Sequence, residues 1–229
     1  MRISKNIDCK NCELKCDIYT ASIEIDEDPV KLKPTYAYYS KNEYISKQGT
    51  NVSHAIFLIN GSAKIFIEGL NNKNIILYLM TPNTYIGLLS FFETPYYLYS
   101  VKAMEDTTIC MVEIEVLKSL YLKNHDFLLK LNKAFGKSVA QILNKIITLN
   151  QKHIRGRIAD SLLYLSQIYG SDYFEMKLSR KELGELSGVS EENAVRLLTE
   201  FKNDNIIDVK GRKINIKDRH LLTQISNLG

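Results

Sequence analysis

The hydrophobic positions of this chain change their spacing about halfway along it. From about residue 35 to residue 116, short β-branched and aromatic runs alternate with turn residues, which is typical of antiparallel strands. Predicted turns fall at Gly49, at Gly61, at residues 69–74 and at residues 82–83. Beyond residue 116 the apolar positions lie three or four apart, as on helices. The pattern predicts an α+β fold that begins with a compact antiparallel β-roll.

One long apolar stripe follows the strands, within residues 117–150. Its members are Leu128, Phe135, Val139, Ile142, Ile146 and Leu149, and polar Asn132 occupies the one missing position. The first turns are expected to pack on the chain's own roll, and packing of the whole stripe there is the alternative. The later turns lie between two domains, so we predict a long dimerisation helix. The predicted dimer interface comprises Phe135, Val139, Ile142, Ile146 and Leu149.

Residues 178–201 predict two short amphipathic helices joined by a tight turn, the pattern of a helix-turn-helix. Ser179 and Glu182 have the spacing of a capping box, which starts the first helix directly after the serine. Gly188 suits the turn, because a left-handed backbone is cheap for glycine. Ser190 then caps a second helix. The core face of that helix comprises Ala194, Leu197, Leu198 and Phe201.

The outer face of the second helix carries side chains that a recognition helix would present to base edges in the major groove. These are Glu191, Glu192, Asn193, Val195 and Arg196, near the helix N-terminus. The predicted DNA contacts also include Ser179, Arg180 and Ser190 at the starts of the two helices. An ordinary helical hairpin with solvated charges is the alternative.

A small hairpin follows the two helices, within residues 206–216. Apolar residues supply its strands, and its tip contains Lys210, Arg212 and Lys213. These three basic side chains are placed to follow a phosphate backbone. Helix, turn, helix and basic hairpin in this order predict a winged helix-turn-helix.

The charge distribution fits a DNA-binding protein. The formal net charge is +4, but acidic residues slightly outnumber basic ones up to Glu115, so the basic excess lies in the part that follows. DNA affinity is therefore expected from a local patch. No apolar run reaches the ~18 residues of a membrane span, and the first residues do not form a signal peptide. We expect a cytoplasmic protein without a membrane partner.

The order of these parts resembles the Crp–Fnr family of bacterial transcription factors, which includes cyclic-AMP receptors and fumarate–nitrate regulators. The resemblance is carried by LINGSAKIFIEG in the roll, by the long helix, and by IADSLLYLS and LSRKELGELSGVSEENAVRLL. It implies a cupin-like jelly roll as sensor, and a homodimer that binds palindromic double-stranded DNA and works with RNA polymerase. It divides the chain into an arm (1–30), a roll (31–116), a dimerisation helix (117–150) and a DNA-binding domain (151–229).

The family reads its half-sites with a Glu–x–x–x–Arg pair, which Glu192 and Arg196 match. The chemistry suits the task, because a carboxylate accepts from cytosine N4 and a guanidinium binds guanine O6 and N7. Two neighbours depart from the family pattern. Glu191 stands where cyclic-AMP receptors carry arginine, and Val195 stands where the oxygen-sensing branch carries serine. The half-site sequence therefore does not follow from the resemblance.

Members of the family that bind cyclic nucleotides use a Gly-Glu-Leu segment and a downstream arginine. The matching residues here are Gly87, Leu88 and Leu89, and the arginine position falls near Tyr97. Neither charged partner of the nucleotide is present, so we expect no response to cyclic AMP. A small apolar effector is an alternative, although aromatic residues more often fill a core. The residues that would line its pocket are Tyr85, Phe91, Phe92, Tyr96, Tyr97 and Tyr99.

The cysteines supply another sensor hypothesis. Cys9, Cys12 and Cys16 lie in CKNCELKC, and Cys110 lies in a late strand. In the oxygen-sensing branch, three N-terminal cysteines and one in the roll ligate an oxygen-labile 4Fe–4S cluster, so the resemblance implies a cluster that responds to oxygen or nitric oxide. The third N-terminal cysteine comes two residues earlier than in that branch. Cys110 also precedes the family position, Val112, by two residues, which keeps it on the same strand face.

Other uses of the cysteines stay open: a structural zinc site, a thiol–disulfide switch, or no site at all. An alternative of another class is an iron–sulfur redox protein or enzyme that carries a winged helix. The sequence has no Gly-rich nucleotide loop, flavin fingerprint or nucleophile–base pair, so we do not expect an enzyme. The residues favour a homodimeric, sequence-specific transcription regulator.

Overall fold

The structure is a computed structural model that describes residues 2–5, 9–12, 14–26, 28–91 and 95–229. It contains two compact units. The first comprises the chain up to Ile65 together with Met80–Ala140, and the second comprises Phe66–Leu79 together with Gln141–Gly229.

The chain before residue 114 forms antiparallel strands in two sheets, which confirms the predicted β-roll. In chain order the strands are β1 (Arg2–Lys5), β2 (Thr35–Tyr39), β3 (Tyr44–Ser46), β4 (His54–Asn60), β5 (Ala63–Ile67), β6 (Ile75–Met80), β7 (Thr84–Ile86), β8 (Ser100–Ala103) and β9 (Thr107–Glu113). One sheet has the order β1-β2-β9-β4-β7, and the other has the order β3-β8-β5-β6. In the first sheet, Cys110 of β9 lies opposite Tyr36 of β2 and Phe57 of β4.

The predicted turns coincide with left-handed backbone at four positions. These are Gly49, Gly61, Asn71 and Asn83, with φ of 81°, 89°, 56° and 65°. Gly61 has a second reason to be glycine, because a Cβ there would lie 2.6 Å from the carbonyl oxygen of Asp106. The chain can therefore reverse between β4 and β5 only if this position carries no side chain.

Helices complete the core of the first unit. They are α1 (Asp17–Glu24), α2 (Leu88–Phe91), α3 (Ile114–Lys123) and the first turns of α4 (His125–Gln151). One buried cluster joins these helices to the sheet through Cys9, Ile18, Ala21, Leu32, Ala55, Leu88, Val112, Leu117, Leu120, Phe127 and Leu131. As expected, the start of the long helix packs on the chain's own core.

The long helix begins later than the predicted start at residue 117. The structure places α3 and α4 on either side of Asn124, whose backbone is extended (φ −122°, ψ 103°). The Asn124 side chain accepts a hydrogen bond from Phe127 N at 2.9 Å and donates to Glu24 Oε2 at 2.8 Å. Asparagine is a strong N-cap, so this residue ends one helix and starts the next. A stripe of apolar positions that runs through both helices conceals the break.

The second unit contains the winged helix-turn-helix, which confirms this part of the predicted fold. After α4 come α5 (Ile154–Tyr169), β10 (Tyr173–Glu175), α6 (Arg180–Ser187), α7 (Glu191–Asn203), β11 (Ile207–Lys210), β12 (Lys213–Ile216) and α8 (Arg219–Leu228). β12 pairs with both β10 and β11. The core of the second unit contains the fully buried residues Ile158, Leu162, Leu183 and Phe201. Within the described residues, no helix combines the length and the apolar character that crossing a membrane requires.

The cap at Asn124 yields a stability prediction. Asn124→Ala should lower the free energy of unfolding by ~1–3 kcal/mol, because it removes the cap and leaves buried partners unsatisfied. Urea unfolding measures this loss. Asn132→Ala is the matched control, since Asn132 is exposed on the same helix. That variant should stay within about 0.5 kcal/mol of the wild type. Equal losses in the two variants would contradict the role given to Asn124.

Candidate DNA-binding surface and cysteine-lined pocket

The helix-turn-helix is held by the caps that the sequence predicts. Ser179 Oγ accepts from Glu182 N at 3.1 Å, while Glu182 Oε2 accepts from Ser179 N at 2.7 Å. Gly188 ends α6 in a left-handed conformation with φ 64°. Ser190 Oγ then accepts from Asn193 N at 3.3 Å and caps α7. These local bonds fix where both helices start, and so fix which side of α7 faces outward.

The two faces of α7 differ sharply in exposure. Ala194, Leu197, Leu198 and Phe201 are buried, as their spacing predicts. Glu191, Glu192, Val195 and Arg196 are exposed, and Asn193 is half-buried. The Glu192 pKa is lowered by hydrogen bonds from its own backbone and from the Ser190 side chain, which favours the charged carboxylate. The first two turns of α7 therefore present an acceptor and a cation side by side.

Arg196 is exposed but already has polar partners. It forms an ion pair with Glu200, and Arg196 Nη2 donates to Asn193 Oδ1 at 3.3 Å. Glu200 also lies 3.6 Å from Arg155 Nη1, and Arg155 pairs with Asp204 at 2.7 Å. Exposed pairs of this kind contribute little to stability. The Arg196 guanidinium can therefore exchange Glu200 for a guanine edge at small cost.

The wing carries the basic tip that the sequence predicts. Lys210, Arg212 and Lys213 are exposed on either side of Gly211, which has φ 62°. Arg180, a predicted DNA contact, instead donates through Nη2 to the Gly211 carbonyl at 2.5 Å. Burial and the nearby Arg212 lower the Arg180 pKa. In this structure Arg180 joins the first helix to the wing.

The basic residues that follow α4 have structural partners inside the second unit. Lys152 Nζ lies 2.7 Å from Asp160 Oδ1. The Arg157 guanidinium donates to three carbonyls, those of Lys152 at 2.8 Å, Leu149 at 2.6 Å and Gly188 at 3.2 Å. The Arg157 guanidinium thus donates hydrogen bonds both to the C-terminal end of α4 and to the turn of the helix-turn-helix. Sequence reasoning missed this contact, because it depends on residues 31 positions apart.

The predicted dimer residues have different surroundings along α4. Phe135 packs against the buried cluster of the first unit, and Leu149 lies beside Gly188. Val139 and Ile142 are half-buried, whereas Ile146 is 51% exposed. Leu143 and Ile147, which sequence reasoning left out, are 54% and 49% exposed. The middle of α4 therefore carries an exposed apolar face.

All four cysteines line one small pocket in the first unit. Cys9 lies in a 3-10 turn (Cys9–Asn11), Cys16 precedes α1, and Cys110 lies in β9. The pocket is formed by Cys9, Cys12, Leu14, Cys16, Tyr19, Tyr36, Phe57, Ile59 and Cys110. Residues nearly one hundred positions apart meet here because the N-terminal segment folds across the sheet that contains β9.

The pocket favours the neutral thiol at Cys16 and Cys110. Burial raises the pKa of Cys110, and the neighbouring Cys16, Cys9 and Cys12 raise it further. Burial also raises the pKa of Cys16. The Tyr36 hydroxyl lies 3.0 Å from Cys12 Sγ, within hydrogen-bonding distance. No disulfide joins the four cysteines, all of which lie in the described part of the chain.

Four sulfur donors line this pocket, a ligand set that both structural zinc and iron–sulfur clusters use. A structural zinc draws four ligands to about 2.1–2.3 Å from one point. Among the residues that the structure describes, no three His, Cys, Asp or Glu side chains are grouped to hold one metal ion. A cluster places its own iron and sulfide atoms between the four thiolates, so it needs sulfurs that surround a wider space. Among the described residues that line the pocket, the others are aromatic or aliphatic and none carries a carboxylate.

A buried aromatic side chain, Tyr97, lies against the Gly87 segment. Gly87 has φ 98°, and a Cβ there would lie 3.2 Å from the Tyr97 ring. Tyr97 is 6% exposed, and burial raises its pKa to about 12. Its backbone bonds Gly49 and Thr50. The Tyr97 side chain is therefore held in place by burial and by its backbone hydrogen bonds.

The aromatic set proposed for an apolar effector lies partly in the core. Tyr99 is 2% exposed, and its ring lies 6.5 Å from that of Tyr97. Tyr85 packs edge-on against Phe57 at 5.0 Å, and Tyr96 is 51% exposed. Phe92 and the side chain of Phe91 lie outside the described residues. The buried members of this set fill the roll.

Comparison with known proteins adds independent information. Residues 36–124 match the cyclic nucleotide-binding domain family, and residues 156–225 match the Crp-like helix-turn-helix domain family. The transcriptional activator protein Anr of Pseudomonas protegens is 24% identical over an alignment of 229 positions, which covers 95% of this chain and 92% of Anr. The cAMP-activated global transcriptional regulator CRP of Salmonella typhimurium is 26% identical over 184 residues, which span 78% of this chain and 87% of CRP.

A solved structure shares the fold. FixK2 from Bradyrhizobium japonicum superposes with a TM-score of 0.76 at 19% identity, over 84% of this chain and 96% of FixK2. The resemblance inferred from LINGSAKIFIEG and the helix-turn-helix is therefore confirmed by both sequence and fold.

The turn of the helix-turn-helix yields a second stability prediction. Gly188→Ala should cost about 2–4 kcal/mol, because it adds left-handed strain to a contact with Leu149, whose Cδ2 lies 2.2 Å from the new Cβ. Gly211→Ala is the control. Gly211 has almost the same φ but open space around it, so only about 1 kcal/mol should be lost. Urea unfolding compares the two variants, and equal losses would rule out the contact with Leu149.

Proposed function

The chain belongs to the Crp–Fnr family of transcription regulators, and from that premise we propose that it is a homodimeric, sequence-specific DNA-binding regulator whose DNA affinity is set by its four-cysteine pocket. The proposal assigns the arm (1–30) and roll (31–116) to sensing, residues 117–150 to dimerisation and residues 151–229 to DNA binding. A cytoplasmic location and a partnership with RNA polymerase complete it. An enzymatic activity is not part of the proposed function.

The exposed face of α7 carries the DNA-binding proposal. Glu192 and Arg196 are one helical turn apart and both exposed, so one recognition helix can accept from cytosine N4 and donate to guanine O6 and N7. Asn193 and Val195 complete the base-facing set. Ser179, Ser190 and the wing residues Lys210, Arg212 and Lys213 face the phosphates. Arg180 acts mainly by joining α6 to the wing. Glu191 repels phosphate and thereby restricts how α7 can lie in the major groove.

The exposed apolar face of α4 supports the homodimer. Val139, Ile142 and Ile146, with Leu143 and Ile147 beside them, give a seam that a second copy of the helix can cover. Phe135 and Leu149 are assigned to the ends of the seam. A two-fold dimer places two recognition helices on successive major grooves, which matches a palindromic site.

The four converging cysteines support a 4Fe–4S cluster as the sensor. Cys9, Cys12, Cys16 and Cys110 would be its ligands, and Tyr36 would donate a hydrogen bond to the Cys12 sulfur. When bound, the cluster supplies a group that oxygen or nitric oxide can dismantle. The chain's own contribution is to hold the N-terminal segment against β9, beside the buried cluster that includes Phe127 and Leu131 of α4. When the N-terminal segment is no longer held against β9, the packing around the first turns of α4 weakens.

Cyclic AMP is not part of the proposed mechanism. Tyr97 fills the position of the cation that a cyclic phosphate needs, and Leu88 stands in place of the ribose-binding glutamate. The buried aromatic residues of the roll argue against an apolar effector there.

Arg196→Ala tests the DNA-binding proposal. Affinity for a palindromic site selected from random duplexes should fall by roughly a hundredfold or more, since the dimer loses two bidentate base contacts worth ~1–3 kcal/mol each. Binding to a scrambled duplex should be retained. Fluorescence anisotropy at fixed salt measures both. Lys213→Ala is the control: as a phosphate contact it should weaken both duplexes alike and lower the salt dependence. An unchanged preference in Arg196→Ala would refute the assignment.

Cys110→Ser tests the sensor proposal separately. The variant purified without oxygen should lose the visible absorption, iron and acid-labile sulfide of the wild type, because serine leaves the set one thiolate short. It should also lose the difference in DNA affinity between anaerobic and air-exposed protein. Thr108→Ser, on the same strand but outside the pocket, should keep both. Retention of iron and of regulation in Cys110→Ser would remove this residue from the site.

A further inference from the structure

A second pocket lies within the second unit and is used by neither DNA binding nor the cysteines. It has a volume of about 130 Å³, and α4, α5 and the segment at Leu77 form its walls. Its polar lining includes Gln141, Asn144, Lys145, Thr148, Asp160 and Tyr164. An apolar cavity of ~150 Å³ holds benzene, so this pocket accommodates a molecule of similar size. Its lining, however, combines polar side chains with the apolar Leu77 and the ring of Tyr78.

Lys145 is the unusual member of this lining. Burial lowers the pKa of its ammonium group to about 8, against the opposing attraction of Asp160. An ammonium has three N–H donors. Within the described part of the chain, Lys145 makes one hydrogen bond, from Nζ to the Leu186 carbonyl at 2.5 Å. Two donors on a poorly solvated cation are thus available to a ligand.

The nearby carboxylate is engaged elsewhere. Asp160 accepts from Lys152 Nζ at 2.7 Å, from Ser226 Oγ at 3.0 Å and from Thr148 Oγ1 at 3.4 Å. Its charge is therefore balanced mainly by Lys152. Lys145 gains electrostatic support from Asp160 without a direct bond. The pocket therefore contains an ammonium that is not paired with the carboxylate of its own lining, because Lys152 holds that carboxylate.

We propose that this pocket binds a small anion with a carboxylate or phosphate group, anchored by the Lys145 ammonium. The side-chain amides of Gln141 and Asn144 supply neutral donors to the remaining oxygens. A buried charge becomes favourable when it is paired and hydrogen-bonded, which is what such an anion provides.

The site is in direct contact with the helix-turn-helix. Lys145 donates to Leu186 in the last turn of α6, and Ser187 Oγ donates to Ser161 Oγ of the pocket at 2.8 Å. An anion that draws the ammonium towards itself must change the first of these bonds. The ligand would thus act on the helix that precedes the recognition helix, and independently of the cysteines.

Calorimetric titration with inorganic phosphate and with acetate tests the proposal, at an ionic strength held constant with chloride. At least one anion should bind the wild type saturably, and the two arms distinguish a phosphate site from a carboxylate site. Lys145→Met should weaken binding roughly ten- to a hundredfold, the ratio that one charge-assisted hydrogen bond supplies. Lys137→Met removes an exposed lysine from the same helix and should bind like the wild type. Equal affinities in wild type and Lys145→Met, or no saturable binding of either anion, would overturn the proposal.

A measurement on the wild type covers the case in which Lys145→Met does not fold. Reductive methylation followed by mass spectrometry gives the modification rate of each lysine. The anion that binds should slow modification of Lys145 while leaving Lys137 unchanged. If neither anion slows the modification of Lys145 more than that of Lys137, the proposal is also overturned.

Discussion

The hydrogen bonds of the Arg157 guanidinium are the constraint on which the DNA-binding unit depends. The last carbonyls of a helix have no partner within it. Arg157 binds the carbonyl of Leu149 in the last turn of α4, the carbonyl of Lys152 directly after the helix, and the carbonyl of Gly188. The Leu149 side chain occupies the space above that glycine. A displacement at the end of α4 is therefore passed directly to the turn that sets the start of α7.

The other end of α4 is tied to the proposed sensor. Phe127 and Leu131 of its first turns belong to the buried cluster that contains Cys9, and Cys110 packs against the same cluster. The helix spans 27 residues, or about 40 Å at the standard rise per residue. Regulation requires an element with two arrangements that a ligand biases. We assign that role to α4, because its first turns share a core with the cysteines and its last turn shares a cation with the recognition motif.

Local signals made the DNA-binding surface predictable. The capping box at Ser179, the turn at Gly188 and the apolar spacing of α7 each act within a few residues, so the sequence alone indicates them. The break at Asn124 was missed because apolar spacing continues across it. Helices α1 and α8 and strands β1 and β10 were missed because they are short and depend on tertiary contacts. The grouping of the four cysteines was indicated by the family resemblance and not by spacing, because Cys110 is distant from the other three in the chain. The packing of Tyr97 against Gly87 and the desolvation of Lys145 arise from long-range contacts, which spacing does not encode.

The most direct test of the account is made on the wild-type protein, by recording its absorption spectrum and its iron and acid-labile sulfide content after purification without oxygen, and by repeating the spectrum in air. The account predicts a broad visible band with iron and sulfide in similar amounts, and bleaching of that band on exposure to air. Colourless, iron-free protein that stays so after attempted cluster reconstitution would contradict the role given to the cysteine pocket.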